Sequence, residues 1–228
     1  MPLKRHIFSI DEKIIHSQSA AAMKALLFAT TNRGKLDELE ALVAGLDLKI
    51  LSLSDVPAIH VEEDAPTFEG NALKKAQAYV ERLALPTLAD DTGLCVDALD
   101  GAPGVLSARY GGVAEGVLDD ATARYRANND RLLRDLADVP AEGRGAHFRT
   151  AICFLRPGEP PLHVEGRVEG RILESPRGTN GFGYDPLFEI PALGKTLAEL
   201  SREEKNRLSH RAMAFAKLKP ALLAWARR

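Results

Sequence analysis

Two adjacent carboxylates interrupt an apolar stretch of the sequence, Leu-Ala-Asp-Asp-Thr-Gly-Leu at residues 88–94. Aspartates are almost never fully buried unless they are paired, hydrogen-bonded or bound to a metal ion. Successive residues of a strand point to opposite faces, so Asp90 and Asp91 cannot both face one pocket if they end a regular strand. We expect one of them to act on a ligand and the other to anchor the following turn. Periodicity alone does not assign these two roles.

A second acidic cluster, Glu62-Glu63-Asp64, lies in a segment whose composition indicates a loop. Hard cations such as Mg²⁺ prefer carboxylate oxygens and keep several of their waters. One carboxylate from each cluster would therefore be enough for a site, provided that the two clusters converge. A solvated acidic loop is the simpler alternative.

The spacing of the aspartates excludes one class of phosphatase. Enzymes of the haloacid-dehalogenase type also place a nucleophilic Asp after an apolar strand, and their pattern needs a second Asp two positions later. The residues two positions after Asp90 and Asp91 are Thr92 and Gly93, so that pattern is absent.

A short polar turn joins a predicted strand to a predicted helix, and its residues are Thr30, Thr31, Asn32, Arg33, Gly34 and Lys35. Backbone amides at a helix N-terminus point outward and the helix dipole favours negative charge, so such a turn can bind phosphate. A plain helix cap made by Thr31 or Asn32 is the alternative. The turn is not a Walker A loop, because the GxxxxGK[ST] pattern is absent.

A glycine-rich segment, Gly-Thr-Asn-Gly-Phe-Gly-Tyr-Asp-Pro at residues 178–186, holds two aromatic residues. Glycines permit backbone conformations and close approaches that other residues do not. An aromatic side chain here, Phe182 or Tyr184, could stack on a flat base. A structural turn whose aromatic residues fill the core is the alternative.

The C-terminal region combines a capping box, Ser201-x-x-Glu204, with three polar or cationic residues, Lys205, His210 and Arg211. On one straight helix these three side chains would be spread around the axis. They can act together only if the helix breaks near Ser209, which could cap a new helix. A solvated helix face is the alternative.

The elements that must position these residues follow from hydrophobic periodicity. Strands are predicted at 25–30, 49–53, 87–89, 148–155, 162–172 and 187–190, and helices at about 35–44, 68–85, 119–136 and 201–227, the last interrupted. Strands alternate with helices in the first half and pair as a hairpin in the second. This order predicts an α/β (mixed α+β) domain with a mixed sheet.

Composition limits the class of protein. The chain has 228 residues and a formal net charge of -2, which indicates no general affinity for nucleic acid. Cys95 and Cys153 lie in apolar surroundings without a CxxC pattern, as expected of reduced core thiols in a cytoplasmic protein. The six histidines are scattered, so a zinc site is not expected.

The first segment, residues 1–22, does not resemble the domain that follows. No apolar run approaches the roughly 20 residues that span a bilayer, and Asp11, Glu12 and Lys13 interrupt what would be the apolar part of a signal peptide. We expect residues 1–22 to be an N-terminal extension, either a mis-assigned start or a mobile arm. Residues 23–228 are expected to form a single domain.

Five segments in this order resemble the inosine triphosphate pyrophosphatase family, also called dITP/XTP pyrophosphatases. They are TNRGK, EEDAPTFEGNALKKA, LADDTGLCVDALDGAPGVLSARY, GTNGFGYDPLF and ELSREEKNRLSHR, and the resemblance covers residues 24 to about 225. The resemblance implies an elongated mixed sheet with flanking helices, in two lobes around a substrate cleft. It also implies a homodimer without nucleic-acid or membrane partners.

The resemblance further implies hydrolysis of XTP, ITP and dITP to the nucleoside monophosphate and pyrophosphate, which clears them before polymerases incorporate them. Asp91 would be the proton acceptor, and Glu62 and Asp91 would hold Mg²⁺. The implied substrate-binding residues are Thr30, Thr31, Asn32, Arg33, Gly34, Lys35, Thr92, Phe182, Gly183, Tyr184, Asp185, Lys205, His210 and Arg211. The segment after Ala-Arg-Tyr-Gly-Gly is less typical of the family and suggests no site residue.

Two other functions stay open at this stage. A Maf-like pyrophosphatase would act on pyrimidine or modified nucleotides. A non-catalytic nucleotide-binding protein is the second alternative, and the presence of both Glu62 and Asp91 argues against it.

Overall fold

The computed structural model describes residues 23–112 and 121–227. The strands in these ranges are β1 (Lys24–Phe28), β2 (Leu48–Leu51), β3 (Thr87–Val96), β4 (Gly145–Leu155), β5 (Leu162–Ile172), β6 (Phe188–Ile190) and β7 (Lys195–Thr196). The α-helices are α1 (Arg33–Val43), α2 (Phe68–Leu83), α3 (Ala121–Asp135), α4 (Arg202–Leu208) and α5 (His210–Ala226). The predicted extension 1–22 and the predicted helix start at 119 lie outside the described residues.

The described strands form one mixed sheet in the order β2-β1-β3-β4-β5-β6-β7. Strand β1 is parallel to β2 and β3, while the remaining neighbours are antiparallel. The parallel pairs come from the strand–helix alternation of the first half, because a parallel connection needs a crossover. The antiparallel pair β4–β5 is the predicted hairpin. The predicted fold class is confirmed.

Strand β3 is longer than predicted, and this corrects the position of the two aspartates. The prediction placed Asp90 and Asp91 at the end of the strand, next to a turn, but β3 pairs with β4 from Thr87 to Val96 without a break. Asp90 lies opposite Ile152 and Asp91 opposite Ala151. The carboxylates stay inside the sheet because cations from distant parts of the chain compensate their charge.

The polar part of β3 lies between apolar clusters. Leu88 packs with α1 and α5, Ala89 packs on the opposite face with α2, and Leu94 and Val96 belong to a third cluster with α3 and β6. Residues 90–93 therefore lie between these apolar clusters.

The predicted break in the C-terminal helix is confirmed at Ser209. The Ser209 hydroxyl accepts a hydrogen bond from the Ala212 amide at 3.2 Å and caps α5, while Lys205 belongs to α4. Helix α5 lies directly on β5 at Gly166. A Cβ atom at this glycine would lie only 1.9 Å from the carbonyl oxygen of His210.

Both cysteines are buried free thiols, as predicted. Burial raises the pKa of the Cys153 thiol to about 12. Among the described residues, the helices are too short or too polar to cross a membrane.

A buried carboxylate ties α1 to α4 and α5. Glu38 on α1 pairs with Lys205 at 2.9 Å and with the guanidinium of Arg211. Burial would raise the pKa of the Glu38 carboxyl, but Arg211 and Lys205 outweigh it and hold that pKa below its usual value. The carboxylate therefore stabilises the folded chain only while it is ionised.

Glu38→Gln should lower the free energy of unfolding near neutral pH by about 3 kcal/mol, because two buried cations lose a partner. Since the folded-state pKa is lowered, the difference from the unmodified chain should shrink as the pH falls below the ordinary value of 4.5. Urea unfolding between pH 7 and pH 3 measures it. Glu40→Gln, at an exposed position of the same helix, is the control. A difference that does not depend on pH would contradict the assignment.

Candidate active site

A cavity of about 410 Å³ lies along the polar part of β3. Segments that are far apart in the sequence meet there: the polar turn before α1, the middle of β3, the glycine-rich loop and the α4–α5 junction. The predicted site residues that line it are Thr30, Thr31, Asn32, Lys35, Asp91, Thr92, Phe182, Gly183, Tyr184, Asp185, Lys205, His210 and Arg211. The residues of the prediction that do not line it are Arg33, Gly34 and Glu62.

The polar turn both caps helix α1 and forms part of the wall of the cavity. Asn32 caps α1 by accepting a hydrogen bond from the Lys35 amide at 3.2 Å. Arg33 points away: its side chain is 76% exposed and pairs with Asp37. Gly34 leaves room for the ring of Phe182, since a Cβ atom at Gly34 would lie 2.5 Å from that ring.

Asp90 is a buried counter-ion. Its carboxylate lies 2.9 Å from Lys35 Nζ and 3.6 Å from Arg211 Nε, and it accepts a hydrogen bond from the Thr92 hydroxyl at 2.7 Å. Burial would raise the pKa of Asp90, but Lys35 and Arg211 hold it well below its usual value. Asp90 is therefore the aspartate with the expected supporting role, and it fills this role through its ion pairs. The expected bonds to loop amides are absent from its described contacts.

Asp91 lies on the opposite face of β3 and is open to the cavity. It accepts hydrogen bonds from the Asn71 side chain at 2.9 Å and from the Thr92 amide at 3.0 Å. Burial raises the pKa of its carboxyl above the usual value, although Lys75 and Lys35 oppose the shift. A carboxylate with a raised pKa is suited to accepting a proton near neutral pH.

The acidic loop meets Asp91 at a second cavity of about 400 Å³, which Glu62, Glu63, Asp64 and Asp91 help to line. Glu62 is exposed, whereas Glu63 also lines the first cavity and pairs with Lys75 at 2.8 Å. Within the described ranges, no three acidic, His or Cys side chains are close enough to hold one metal ion. Mg²⁺ does not need such a cage, since it is often held by one or two carboxylates and substrate phosphates.

Two functional candidates on α2 were missed in the sequence. Asn71 donates to Asp91, and the partly buried Lys75 lies near Glu63 and both aspartates of β3, whose charges keep its pKa above the usual value despite burial. Their spacing of four residues places both on one helical face, and this signal was available in EGNALKKA. Arg124 and Tyr125 on α3 also line the cavity, and no pattern pointed to them.

The glycine-rich loop presents Phe182 to the cavity. Asp185 holds this loop in place, because its carboxylate accepts a hydrogen bond from the Phe182 amide at 2.9 Å and forms an ion pair with Lys205 at 2.6 Å. Lys205 Nζ lies 4.7 Å from the centroid of the Phe182 ring. Tyr184 is buried and donates to the carbonyl of Ser107 at 2.9 Å, so it anchors the loop.

His210 brings unpaired polar atoms to the cavity. Its ring stacks on Phe148 with centroids 4.9 Å apart, and both ring nitrogens are buried without a hydrogen-bond partner among the described residues. Burial, with Arg211 and Lys205 nearby, lowers the pKa of His210 far below its usual value, so the imidazole is neutral. A neutral ring can donate one hydrogen bond and accept another. The polar edge of a ligand would supply the hydrogen-bond partners that the ring nitrogens of His210 lack.

The chain is similar to known proteins of one family. Residues 26–221 match the model of the Ham1 family. A dITP/XTP pyrophosphatase of Geobacter sulfurreducens is 51% identical over 88% of this chain and 97% of the relative.

Two solved structures share the fold. A HAM1 protein from Coxiella burnetii has a TM-score of 0.77 and 36% identity, covering 89% of this chain and all of that one. A nucleoside-triphosphatase, dITP/XTP pyrophosphatase, from Mycobacterium abscessus has a TM-score of 0.67 and 45% identity, over 86% and 99% of the two chains. The chain therefore belongs to the Ham1 family.

Proposed function

We propose that this protein hydrolyses the deaminated purine nucleoside triphosphates XTP, ITP and dITP to the nucleoside monophosphate and pyrophosphate. The observation that carries the proposal is the convergence of the polar turn, Asp91, the glycine-rich loop and the α4–α5 junction on one cavity. The relatives named dITP/XTP pyrophosphatase support the same activity. The role would be to clear these nucleotides before they enter DNA or RNA.

The two ends of the cavity suit the two ends of such a substrate. The amides before α1, with Lys35, suit the anionic phosphate chain. Phe182 offers a stacking face for the base, and His210 offers donor and acceptor atoms beside it. A base with a carbonyl at position 6 would satisfy a donor that adenine would leave unpaired, which can give strong discrimination. Arg211, buried and already paired with Glu38, would act by orienting this wall.

Asp91 is the proposed general base. It would accept a proton from the water that attacks the α-phosphorus, while the bond between that phosphorus and the bridging oxygen breaks and pyrophosphate leaves. Asn71 and the Thr92 amide hold the carboxylate in place. Lys75 stands beside it and can offset negative charge that develops on the phosphates.

The donor set near Asp91 fits a magnesium ion, because carboxylate oxygens of Asp91 and of the acidic loop face one cavity. When bound, such an ion would neutralise phosphate charge and lower the pKa of water. The sequence pointed to Glu62 as the second ligand. The lower exposure of Glu63 and its place in both cavities favour Glu63 instead.

A homodimer and a cytoplasmic location belong to the same proposal. Removal of damaged nucleotides requires the enzyme to share a compartment with the polymerases that would use them. Light scattering of the purified chain measures the oligomeric state.

The direct test is a panel of XTP, ITP, dITP, GTP, ATP, dTTP and UTP with Mg²⁺, with products separated by chromatography. Pyrophosphate and a monophosphate should form fastest from XTP, ITP and dITP. Release of orthophosphate with a nucleoside diphosphate product would contradict the proposed release of pyrophosphate. A preference for dTTP or UTP would overturn the substrate class.

The two aspartates of β3 should separate stability from catalysis. Asp91→Asn should reduce kcat by about 10³-fold or more through loss of the general base. It should leave the free energy of unfolding of the metal-free protein unchanged or raised, since burial disfavours the charge. Asp90→Asn should instead lower that free energy by about 3 kcal/mol, because Lys35 and Arg211 lose a buried partner. Turnover assays and urea unfolding in EDTA measure the two effects, and a stability loss in Asp91→Asn larger than that in Asp90→Asn would contradict this division.

The acidic loop should reveal its ligand through magnesium titration. Glu63→Gln should raise the Mg²⁺ concentration for half-maximal activity about tenfold or more, and Glu62→Gln should raise it less. Each variant controls for the other, since both remove one charge from the same loop. The reverse order would assign the ligand to Glu62.

A further inference from the structure

The cations of the cavity differ in whether a carboxylate already neutralises them. The lysine and arginine side chains that line it are Lys35, Lys75, Arg124, Lys205 and Arg211. Lys35 pairs with Asp90 at 2.9 Å, Lys75 with Glu63 at 2.8 Å and Lys205 with Asp185 at 2.6 Å, while Arg211 pairs with Glu38. Among the described contacts, Arg124 has no carboxylate partner.

Arg124 is held by an aromatic ring instead. Its guanidinium carbon lies 5.9 Å from the ring centroid of Tyr125, the next residue of α3. The Tyr125 hydroxyl accepts a hydrogen bond from the Asn32 side chain at 3.4 Å, and Asn32 belongs to the polar turn before α1. Tyr125 therefore connects Arg124 to the phosphate-binding end of the cavity.

We propose that Arg124 binds the phosphate chain of the substrate and that Tyr125 is the residue that positions it. This rests on the proposed function, in which the ligand is a nucleoside triphosphate. A guanidinium binds phosphate oxygens through parallel hydrogen bonds. Unlike the other cations of the cavity, Arg124 can do so without giving up an ion pair to any carboxylate of residues 23–112 or 121–227.

The phosphate chain is the appropriate partner because it carries the charge of the substrate. Hypoxanthine is neutral near pH 7 and offers a guanidinium no counter-charge, whereas the triphosphate has several negative charges. The ring of Tyr125 lies 6.3 Å from that of Phe182, so α3 reaches the base end as well. Measuring the two halves of the substrate separately can tell the two ends apart.

The test uses calorimetric titration of the full chain with inorganic triphosphate and, separately, with inosine, which carries the base but no phosphate. Arg124→Ala should weaken triphosphate binding about tenfold at low salt and by about twofold in 0.5 M KCl, because salt screens a half-exposed charge. Inosine affinity should change less than twofold. Arg124→Lys should recover part of the loss. Arg126→Ala, which removes the same charge at an exposed position outside the cavity, should have less than a twofold effect.

Tyr125 is tested through its coupling to Arg124. Tyr125→Phe keeps the ring and should bind triphosphate within twofold of the unmodified chain, whereas Tyr125→Leu should weaken binding about threefold. Tyr125→Leu should add nothing to Arg124→Ala, as expected when one residue acts through the other. Additive losses would overturn the positioning role.

Other results would overturn the role of Arg124. These are unchanged triphosphate affinity in Arg124→Ala, an equal loss in Arg126→Ala, or a loss confined to inosine. The titrations do not require turnover, so they remain informative if the nucleotide panel shows no hydrolysis. Failure of the proposed function and failure of this inference are thus separate observations.

Discussion

The burial of Asp90 in the middle of the sheet is the constraint on which the site depends. A lone carboxylate there would be prohibitively costly, and Lys35 and Arg211 compensate it from two different helices. Arg211 and Lys205 in turn share Glu38, and Lys205 reaches Asp185 in the glycine-rich loop. Three carboxylates and three cations thus form a charge-balanced network along one wall of the cavity. Helices α1, α4 and α5 are held in register by charge as well as by packing.

Asp90 and Asp91 show how one strand can give the same residue type opposite properties. The alternation of β3 sends Asp90 toward the cations of α1 and α5 and Asp91 toward the cavity and α2. The pKa of Asp90 is lowered by its ion pairs, whereas burial raises that of Asp91. A single peptide unit separates a group that must stay ionised for stability from one free to exchange a proton.

Much of the fold and part of the site could be predicted from the sequence. The helix break followed from geometry, because Lys205 and Arg211 could share a site only if the helix ended near Ser209. The full length of β3 could not be predicted, because its polar residues are tolerated only with partners that lie far along the chain. The ambiguity between Glu62 and Glu63 has a similar cause: a loop has no periodicity, and the features that distinguish them are their exposure, the cavities they line and the contact of Glu63 with Lys75.

Gly166 allows the backbone at the α4–α5 junction to pack directly against the backbone of β5. Since no side chain separates β5 from the first turn of α5, the carbonyl of His210 rests on the strand itself. Helix α5 therefore packs on the sheet as closely as the two backbones allow, and any side chain at this position would act as a spacer between them. Gly166 does not line the cavity, whereas His210 and Arg211 do, so a substitution at Gly166 would shift the cavity wall without changing any residue that lines it.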